Sequence, residues 1–274
     1  SVFDIEPLRP LSKSTSGISQ VHDPCYVRPR ATGFATYVLL LCAPSVLFFA
    51  AVAPHLLHEG MQTLVVITCV SYGLATLFMG LAACTEPGLV PTSVDAHASR
   101  KPQASRILGE VVVNGVPMTV KFCVTCGIQR PLRASHCREM NRCINKWDHY
   151  CPWLGNSVGK RNYPFFVGFV GFTWLHAVFT ACSSLYHLRR LTSNLDSTEN
   201  HATGKALLSA CATSPSSALL VVFCVLAGLL LTLLFTYHLY LISINQTTYE
   251  NVRAEYIDRA NPFDRGCLLN WAEV

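Results

Sequence analysis

Residues 122 to 166 read FCVTCGIQRPLRASHCREMNRCINKWDHYCPWLGNSVGKRNYPFF, a long polar stretch between two pairs of strongly apolar segments. The stretch carries cysteine and histidine residues at metal-ligand spacing. A carboxylate, an imidazole and a thiol follow within a few residues. Such a pattern predicts a small metal-stabilised unit that carries a nucleophile.

Four apolar segments surround this stretch and indicate an α-helical membrane protein. Each is about as long as the roughly 20 residues that a membrane-spanning helix needs, and none contains Lys, Arg, Asp or Glu. The four segments are residues 32–54, 61–84, 164–186 and 217–242. A soluble core seldom needs four uncharged runs of this length. We therefore predict four transmembrane helices, with a cytosolic zinc-binding cysteine-rich domain between helices 2 and 3.

The distribution of the 21 basic residues predicts the orientation of these helices. With four membrane crossings, one side of the membrane carries 18 of them and the other side carries 3. By the positive-inside rule, both termini and the cysteine-rich loop face the cytosol. Most of the 13 cysteines are then in a reducing compartment or in apolar helices, so we expect thiols rather than disulfides. The net charge of +5 fits a surface beside anionic lipid and needs no nucleic-acid partner.

This topology divides the chain into five segments. Pro44 in the first helix predicts a kink, and residues 189–216 are expected to form a polar luminal loop. The segments are a loosely ordered cytosolic lead-in at 1–31, helices 1 and 2 at 32–84, the cysteine-rich domain at 85–163, helices 3 and 4 at 164–242, and a cytosolic tail at 243–274.

An Asn-Gly pair lies between two apolar runs just ahead of the cysteines. Such a pair is the strongest short-range signal for a β-hairpin. We therefore predict strands near residues 110–113 and 117–122, joined at Asn114-Gly115. A hairpin that delivers a Cys-x-x-Cys pair is a familiar zinc-binding arrangement.

Three thiolates and one imidazole form the predicted metal site, and they come from Cys123, Cys126, His136 and Cys143. This donor set suits a closed tetrahedral zinc ion with no open position for water, so we predict a structural role for the metal. A segment of about 45 residues between membrane helices has little apolar mass of its own. Zinc contributes on the order of 10 kcal/mol to the folding of such small modules. The alternative is a small core in which the same side chains pack without metal.

These features together resemble the DHHC-type protein S-acyltransferases, the palmitoyltransferases. The resemblance covers about 240 residues, from the first helix to the end of the chain. It rests on the cysteine spacing and on a set of short motifs. These are Asp148-His149-x-Cys151-Pro152-Trp153, Glu86-Pro87-Gly88 in place of the family's Asp-Pro-Gly, Thr247-Thr248-Tyr249-Glu250 matching Thr-Thr-x-Glu, and Asn261 to Trp271 around Asn270.

The chain departs from the family pattern at a second set of metal positions. The family normally holds two zinc ions, and the second set falls here on Cys137, Met140, Tyr150 and Ser157. Only one of these can act as a thiolate ligand. We therefore predict one zinc ion, with packing and hydrogen bonds in place of the second.

The Asp-His-Tyr-Cys tetrad looks like that of the ankyrin-repeat branch of the family, which includes active members. No ankyrin-like repeat occurs in the 274 residues. Because the chain opens at Ser1 rather than Met, the presence of an N-terminal extension stays open.

The resemblance implies a ping-pong acyl transfer. In it Cys151 is the nucleophile, His149 the base and Asp148 the carboxylate that orients the base, while Thr248 hydrogen-bonds Asp148. The donor is a long-chain acyl-CoA such as palmitoyl-CoA. The acceptor is a cysteine of a cytosolic or membrane-associated protein. We expect an endomembrane location, in the Golgi or the ER, rather than the plasma membrane.

Three further residues are expected to bind the acyl-CoA. Arg130 and Arg133 lie nearest the metal loop and are the predicted contacts to the CoA phosphates. Trp153 is predicted to line the mouth of the acyl cavity. The competing function class is a non-catalytic zinc-stapled membrane scaffold or adaptor. Retention of the acid, base and thiol, while positions needed only for metal have changed, favours the enzyme.

Overall fold

A computed structural model describes residues 31–92, 109–199 and 203–274. Residues 1–30 of the predicted lead-in and the polar segment around residues 93–108 lie outside this range. Within it, long helices flank a region built from four β-hairpins.

The first predicted span, at residues 32–54, folds as a broken helix. Its pieces are α1 (Ala31–Tyr37), a π-helical turn (Val38–Cys42), α2 (Ala43–Ala51) and α3 (Ala53–His58). Pro44 and Pro54 each lie in the first turn of a piece, since proline has no N–H for the hydrogen bond of an interior turn. Just before Pro44, the N–H of Ala43 donates to the carbonyl of Val38, five residues back. Ala35–Ala51 is a shorter apolar helix, so a membrane crossing here stays a prediction.

Among the described residues, three helices are long and apolar enough to cross a membrane. They are α4 (Gln62–Cys84), α5 (Tyr163–Glu199), whose candidate membrane span is Tyr163–Asn194, and α7 (Pro215–Ser243). The shortest has 23 residues, and at about 1.5 Å per residue it exceeds the roughly 30 Å of a bilayer core. These helices agree with the spans predicted at 61–84, 164–186 and 217–242.

The segment at 189–216, predicted as a polar luminal loop, is largely helical where the structure describes it, and its luminal placement stays a prediction. α5 continues to Glu199, and α6 covers Thr203–Thr213 before α7 begins. Residues 187–199 are polar but contain neither glycine nor proline. The local sequence therefore gives the helix no reason to end where the apolar run ends.

The cysteine-rich region consists of four two-stranded antiparallel hairpins. The first confirms the Asn-Gly prediction, because Asn114 and Gly115 have φ angles of 47° and 80°, as a type I′ turn requires. The later strands have only two or three residues, so their ladders need support from elsewhere. The strands are β1 (Gly109–Val113), β2 (Val116–Val120), β3 (Phe122–Cys123), β4 (Ile128–Gln129), β5 (Ser135–Cys137), β6 (Arg142–Ile144), β7 (His149–Cys151) and β8 (Asn156–Val158), paired in order.

Two buried asparagines fasten the last hairpin to the end of α4. The amide of Asn156 donates to the carbonyls of Ala83 and Thr85, at 3.1 and 3.0 Å. The amide of Asn162 donates to the carbonyl of Ala82 at 3.0 Å. A helix end leaves its last carbonyls without intrahelical partners, and these amides satisfy them. The strand that carries Cys151 is thereby held at the end of α4, a helix long and apolar enough to cross a membrane.

Gly159 occupies a position with no room for a side chain. A Cβ there would lie 2.6 Å from the Ile144 side chain and 2.6 Å from the carbonyl oxygen of Pro87. We expect Gly159→Ala to destabilise the fold by about 1–3 kcal/mol, as overpacking does elsewhere. Thermal unfolding of the detergent-purified protein measures this. Gly73→Ala is the matched control, because nothing lies within 4 Å of a Cβ at that position. Equal melting temperatures for the two variants would contradict the expectation.

Candidate active site and metal cluster

The four predicted metal ligands come together in the structure. Cys123 ends β3 and Cys126 lies in the turn that follows. His136 on β5 and Cys143 on β6 are direct cross-strand partners. Two hairpins thus present two ligands each, and all four ligand atoms lie within 4.8 Å of one another.

The distances within this cluster fit a tetrahedral zinc ion. The Nδ1 atom of His136 lies 3.5, 3.3 and 4.0 Å from the sulfurs of Cys123, Cys126 and Cys143. Bond lengths of about 2.3 Å to sulfur and 2.0 Å to nitrogen place tetrahedral S and N ligands about 3.5 Å apart. Without a cation, burial and the neighbouring thiols raise the pKa of Cys143. A bound cation would reverse that effect by stabilising the thiolates.

The positions that the resemblance assigns to a second metal ion have different contacts in the structure. The hydroxyl of Ser157 donates to the sulfur of Cys137 at 3.1 Å, and the indole of Trp147 reaches the same hydroxyl at 3.4 Å. Cys137 is fully buried and its thiol also contacts Glu139 at 3.3 Å. Tyr150 pairs with Ser157 across the last hairpin. Among the described residues, only the set at Cys123 to Cys143 groups as a metal cluster.

Strand geometry separates the catalytic candidates from Tyr150. Successive side chains of a strand point to opposite faces. His149 and Cys151 on β7 therefore share one face, and Tyr150 belongs to the other. Cys151 is 3% exposed and packs in a core cluster with residues of α4 and α5. The thiol thus lies where the hairpin region meets α4 and α5.

The carboxylate of Asp148 holds the imidazole of His149. Its Oδ2 atom lies 2.6 Å from Nδ1 of the ring. Asp148 itself is 1% exposed, and its Oδ1 atom accepts a hydrogen bond from the backbone N–H of Thr248 at 2.8 Å. Thr248 begins α8 (Thr248–Val252). The motif residue thus acts through its backbone, while its hydroxyl is buried with no hydrogen-bond partner among the described residues.

This arrangement stabilises the charged forms of both groups. Burial alone lowers the pKa of His149, but the hydrogen bond from the ring to Asp148 and the interaction with Cys151 outweigh it and raise the pKa to about 9. Burial opposes ionisation of Asp148, yet His149 and the Thr248 N–H hold the pKa of that carboxyl below its usual value. The site thus brings a charged imidazole, held by a carboxylate, to the thiol of Cys151.

A second histidine, which the sequence interpretation did not single out, lies close to His149. His238 on α7 is 2% exposed. Its ring centroid is 6.2 Å from that of His149 and 4.9 Å from that of Phe166. The hydroxyl of Tyr163 lies 3.1 Å from its Nδ1 atom. An ionisable side chain within a predicted membrane span often has a function. On this ground His238 could have been singled out from the sequence.

The predicted acyl-CoA contacts differ in their surroundings. The guanidinium of Arg133 is bound by Glu250 and Asn245. Arg130 lines a cavity of about 260 Å³, and its Nε atom is buried with no hydrogen-bond partner among the described residues. Trp153 is 54% exposed at the loop after Cys151, with Gly33 of α1 close against its backbone.

Comparison with known proteins places the site in a family. Residues 117–255 match the family model described as DHHC palmitoyltransferase. The chain is 35% identical over 269 residues to Protein S-acyltransferase 8 of Arabidopsis thaliana, covering 90% of this chain and 63% of that protein. It is 32% identical over 263 residues to Probable protein S-acyltransferase 7 of Arabidopsis thaliana, covering 90% of this chain and 58% of that protein.

A mammalian relative gives a similar result. Palmitoyltransferase ZDHHC18 of Mus musculus is 30% identical over 257 residues, covering 86% of this chain and 64% of that protein. The chain thus spans about three fifths of the length of these relatives. The matched region contains both the four-ligand cluster and the residues Asp148, His149 and Cys151. The chain belongs to the DHHC palmitoyltransferase family.

Proposed function

We propose that this protein is an S-acyltransferase that carries a long-chain acyl group on Cys151. The observation that supports this most directly is the continuous chain from the Thr248 N–H through Asp148 and His149 to a buried thiol. Carboxylate, imidazole and thiol in this order are the parts of an activated cysteine nucleophile.

The reaction has two half-steps. In the first, the Cys151 thiolate attacks the thioester carbonyl of the acyl-CoA, the bond from carbon to the CoA sulfur breaks, and His149 gives its proton to the departing thiolate. In the second, the thiol of a protein acceptor loses its proton to His149 and attacks the acylated Cys151, which leaves as thiolate. Asp148 orients the imidazole and stabilises its charged form throughout.

One structural zinc ion belongs to this proposal. Cys123, Cys126, His136 and Cys143 would hold it, and it would supply folding free energy rather than chemistry. The network of Cys137 and Ser157 takes the place of the family's second ion.

The membrane arrangement in the proposal has four spans, with the broken helix at residues 32–54 as the first. Both termini and the hairpin region face the cytosol, in an endomembrane such as the Golgi or ER.

The acyl chain enters the helix bundle beside Trp153 while CoA stays in water. The buried Nε atom of Arg130 has no hydrogen-bond partner among the described residues and lies at a cavity, which supports a contact from this atom to a CoA phosphate. The Asp-His-Tyr-Cys tetrad places the chain beside the ankyrin-repeat branch.

Acyl labelling tests the proposal. Purified protein incubated with radiolabelled palmitoyl-CoA should acquire label that hydroxylamine removes, because a thioester is cleaved by this reagent. Cys151→Ser should lose essentially all of it. Cys137→Ser is the matched control, since this buried thiol in the same region lies outside the proposed chemistry. Folded, zinc-loaded wild type that acquires no label would favour the non-catalytic scaffold.

A further inference from the structure

Three residues with a left-handed backbone meet in one polar network on the hairpin side of the helices. Arg133, Lys146 and Asn245 have φ angles of 63°, 45° and 46°. Positive φ is uncommon for residues other than glycine, and such strain persists only where surrounding contacts maintain it. The side chains of all three contribute to a single connection between the metal loop and the chain after α7. We call this connection, formed by Arg133, Lys146, Asn245, Glu250 and Glu273, the loop-tail clamp.

Arg133 is the centre of the loop-tail clamp. Its Nε and Nη2 atoms donate to the two carboxylate oxygens of Glu250, both at 2.7 Å. Its Nη1 and Nη2 atoms donate to the side chain and backbone oxygens of Asn245, at 2.8 and 2.9 Å. The side chains of Arg133 and Glu250 are 7% and 8% exposed. A bidentate pair shielded from water is geometrically specific, and a lysine cannot replace its fork.

Glu250 connects Arg133 to the active site through the first turn of α8. The same carboxylate accepts the backbone N–H of Thr247 at 2.9 Å, and the hydroxyl of Thr247 accepts the N–H of Glu250 at 3.1 Å. This reciprocal capping box fixes the first turn of α8. The next N–H in that turn, that of Thr248, is the one that donates to Asp148.

We propose that Arg133 and Glu250 are positioning residues, which set the place of the Thr248 N–H and thereby the orientation of Asp148 and His149. The clamp joins residues 117 positions apart in the chain, so the metal loop and the tail are held in one geometry at the nucleophile. This inference rests on the proposed acyl transfer. It assigns Arg133 a role different from a contact to the CoA phosphates.

Kinetic constants separate the two roles of Arg133. For Arg133→Lys and Glu250→Gln, we expect the maximal rate of Cys151 acylation to fall by about 10- to 100-fold, the effect of misplacing a catalytic group by roughly 1 Å. KM for palmitoyl-CoA should stay within about twofold, because uniform binding of the donor is unchanged. The matched control is the exposed pair of Arg190 with Glu59, where the same two substitutions should change neither constant.

The pH dependence of Cys151 alkylation supplies a second measurement that needs no acyl-CoA. Iodoacetamide labelling of the Cys151 peptide, quantified by mass spectrometry on zinc-loaded protein, reports the thiolate fraction. The charged or titratable groups around His149 are Asp148, Cys151 and His238. Both clamp variants should move the alkylation midpoint upward, because a displaced imidazolium of His149 stabilises a neighbouring thiolate less.

Two results would overturn the inference. One is a rise in KM at constant maximal rate for Arg133→Lys, with Glu250→Gln unaffected, which is the behaviour of a phosphate contact. The other is an alkylation midpoint that matches wild type in both variants. Loss of folding in Arg133→Lys leaves Glu250→Gln to decide, since that variant keeps the size and the capping acceptor of the side chain. A wild type that acquires no acyl label contradicts the proposed function alone, and the alkylation profiles still test the clamp.

Discussion

Asp148→Asn is expected to lower the rate of Cys151 acylation by about 10³- to 10⁴-fold, the cost of the equivalent change in a Ser-His-Asp triad. The neutral amide loses the charge that stabilises the imidazolium of His149. It also offers one acceptor atom where the carboxylate serves two donors, the ring Nδ1 at 2.6 Å and the Thr248 N–H at 2.8 Å. Single-turnover labelling with palmitoyl-CoA measures the effect.

The pH dependence of Cys151 alkylation should shift in a defined direction in the same variant. The pKa of His149 is raised to about 9, so its imidazolium persists from low pH up to that value and is lost above it. In Asp148→Asn the pKa of the ring should fall towards its ordinary value of about 6.5. The imidazolium then disappears earlier as the pH rises, and alkylation of Cys151 should shift to higher pH. An unchanged profile would mean that the carboxylate does not set the charge of the ring.

Local patterns predicted those parts of the fold that depend on neighbours in the chain. The lack of charge over about 20 residues located α4, α5 and α7. The Asn114-Gly115 pair located the first hairpin. The spacing of Cys123, Cys126, His136 and Cys143 located the metal cluster, because short hairpins present ligands at fixed offsets. Each of these features is decided within a few tens of residues.

Contacts between residues far apart in the chain could not be predicted from the sequence. Arg133 was predicted to contact the CoA phosphates, yet its partners Glu250 and Asn245 come from a part of the chain more than 100 residues later. Thr248 was expected to contact Asp148, but only the fold shows that its backbone does so. The helical end of α5 was missed because the apolar run stops near residue 186, whereas the residues that follow still favour a helix. Spacing predicts which groups are available, and tertiary packing decides which of them meet.

Loss of one metal ligand is expected to unfold the hairpin region, and Cys143→Ala is the clearest case. Zinc in small modules contributes on the order of 10 kcal/mol, comparable with the whole stability of about 5–15 kcal/mol of a typical domain. Strands of two or three residues cannot compensate for this loss. Because β7 and β8 are held by the same region, acylation of Cys151 should be lost as well. Metal analysis, thermal unfolding and limited proteolysis of the purified variant measure the outcome.

Cys137→Ala is the control that separates loss of a metal ligand from loss of a buried thiol. Both thiols are fully buried in the same region, but Cys137 bonds Ser157 rather than joining the cluster. Its removal leaves one small cavity and one hydroxyl without its acceptor, a loss of about 1–3 kcal/mol. Wild type and Cys137→Ala should each retain about one zinc ion per chain, whereas Cys143→Ala should retain almost none. Two ions in wild type would contradict the assignment of Cys137, Met140, Tyr150 and Ser157 to packing. Equal damage from both substitutions would show that burial of the thiols, and not their metal, supports the fold.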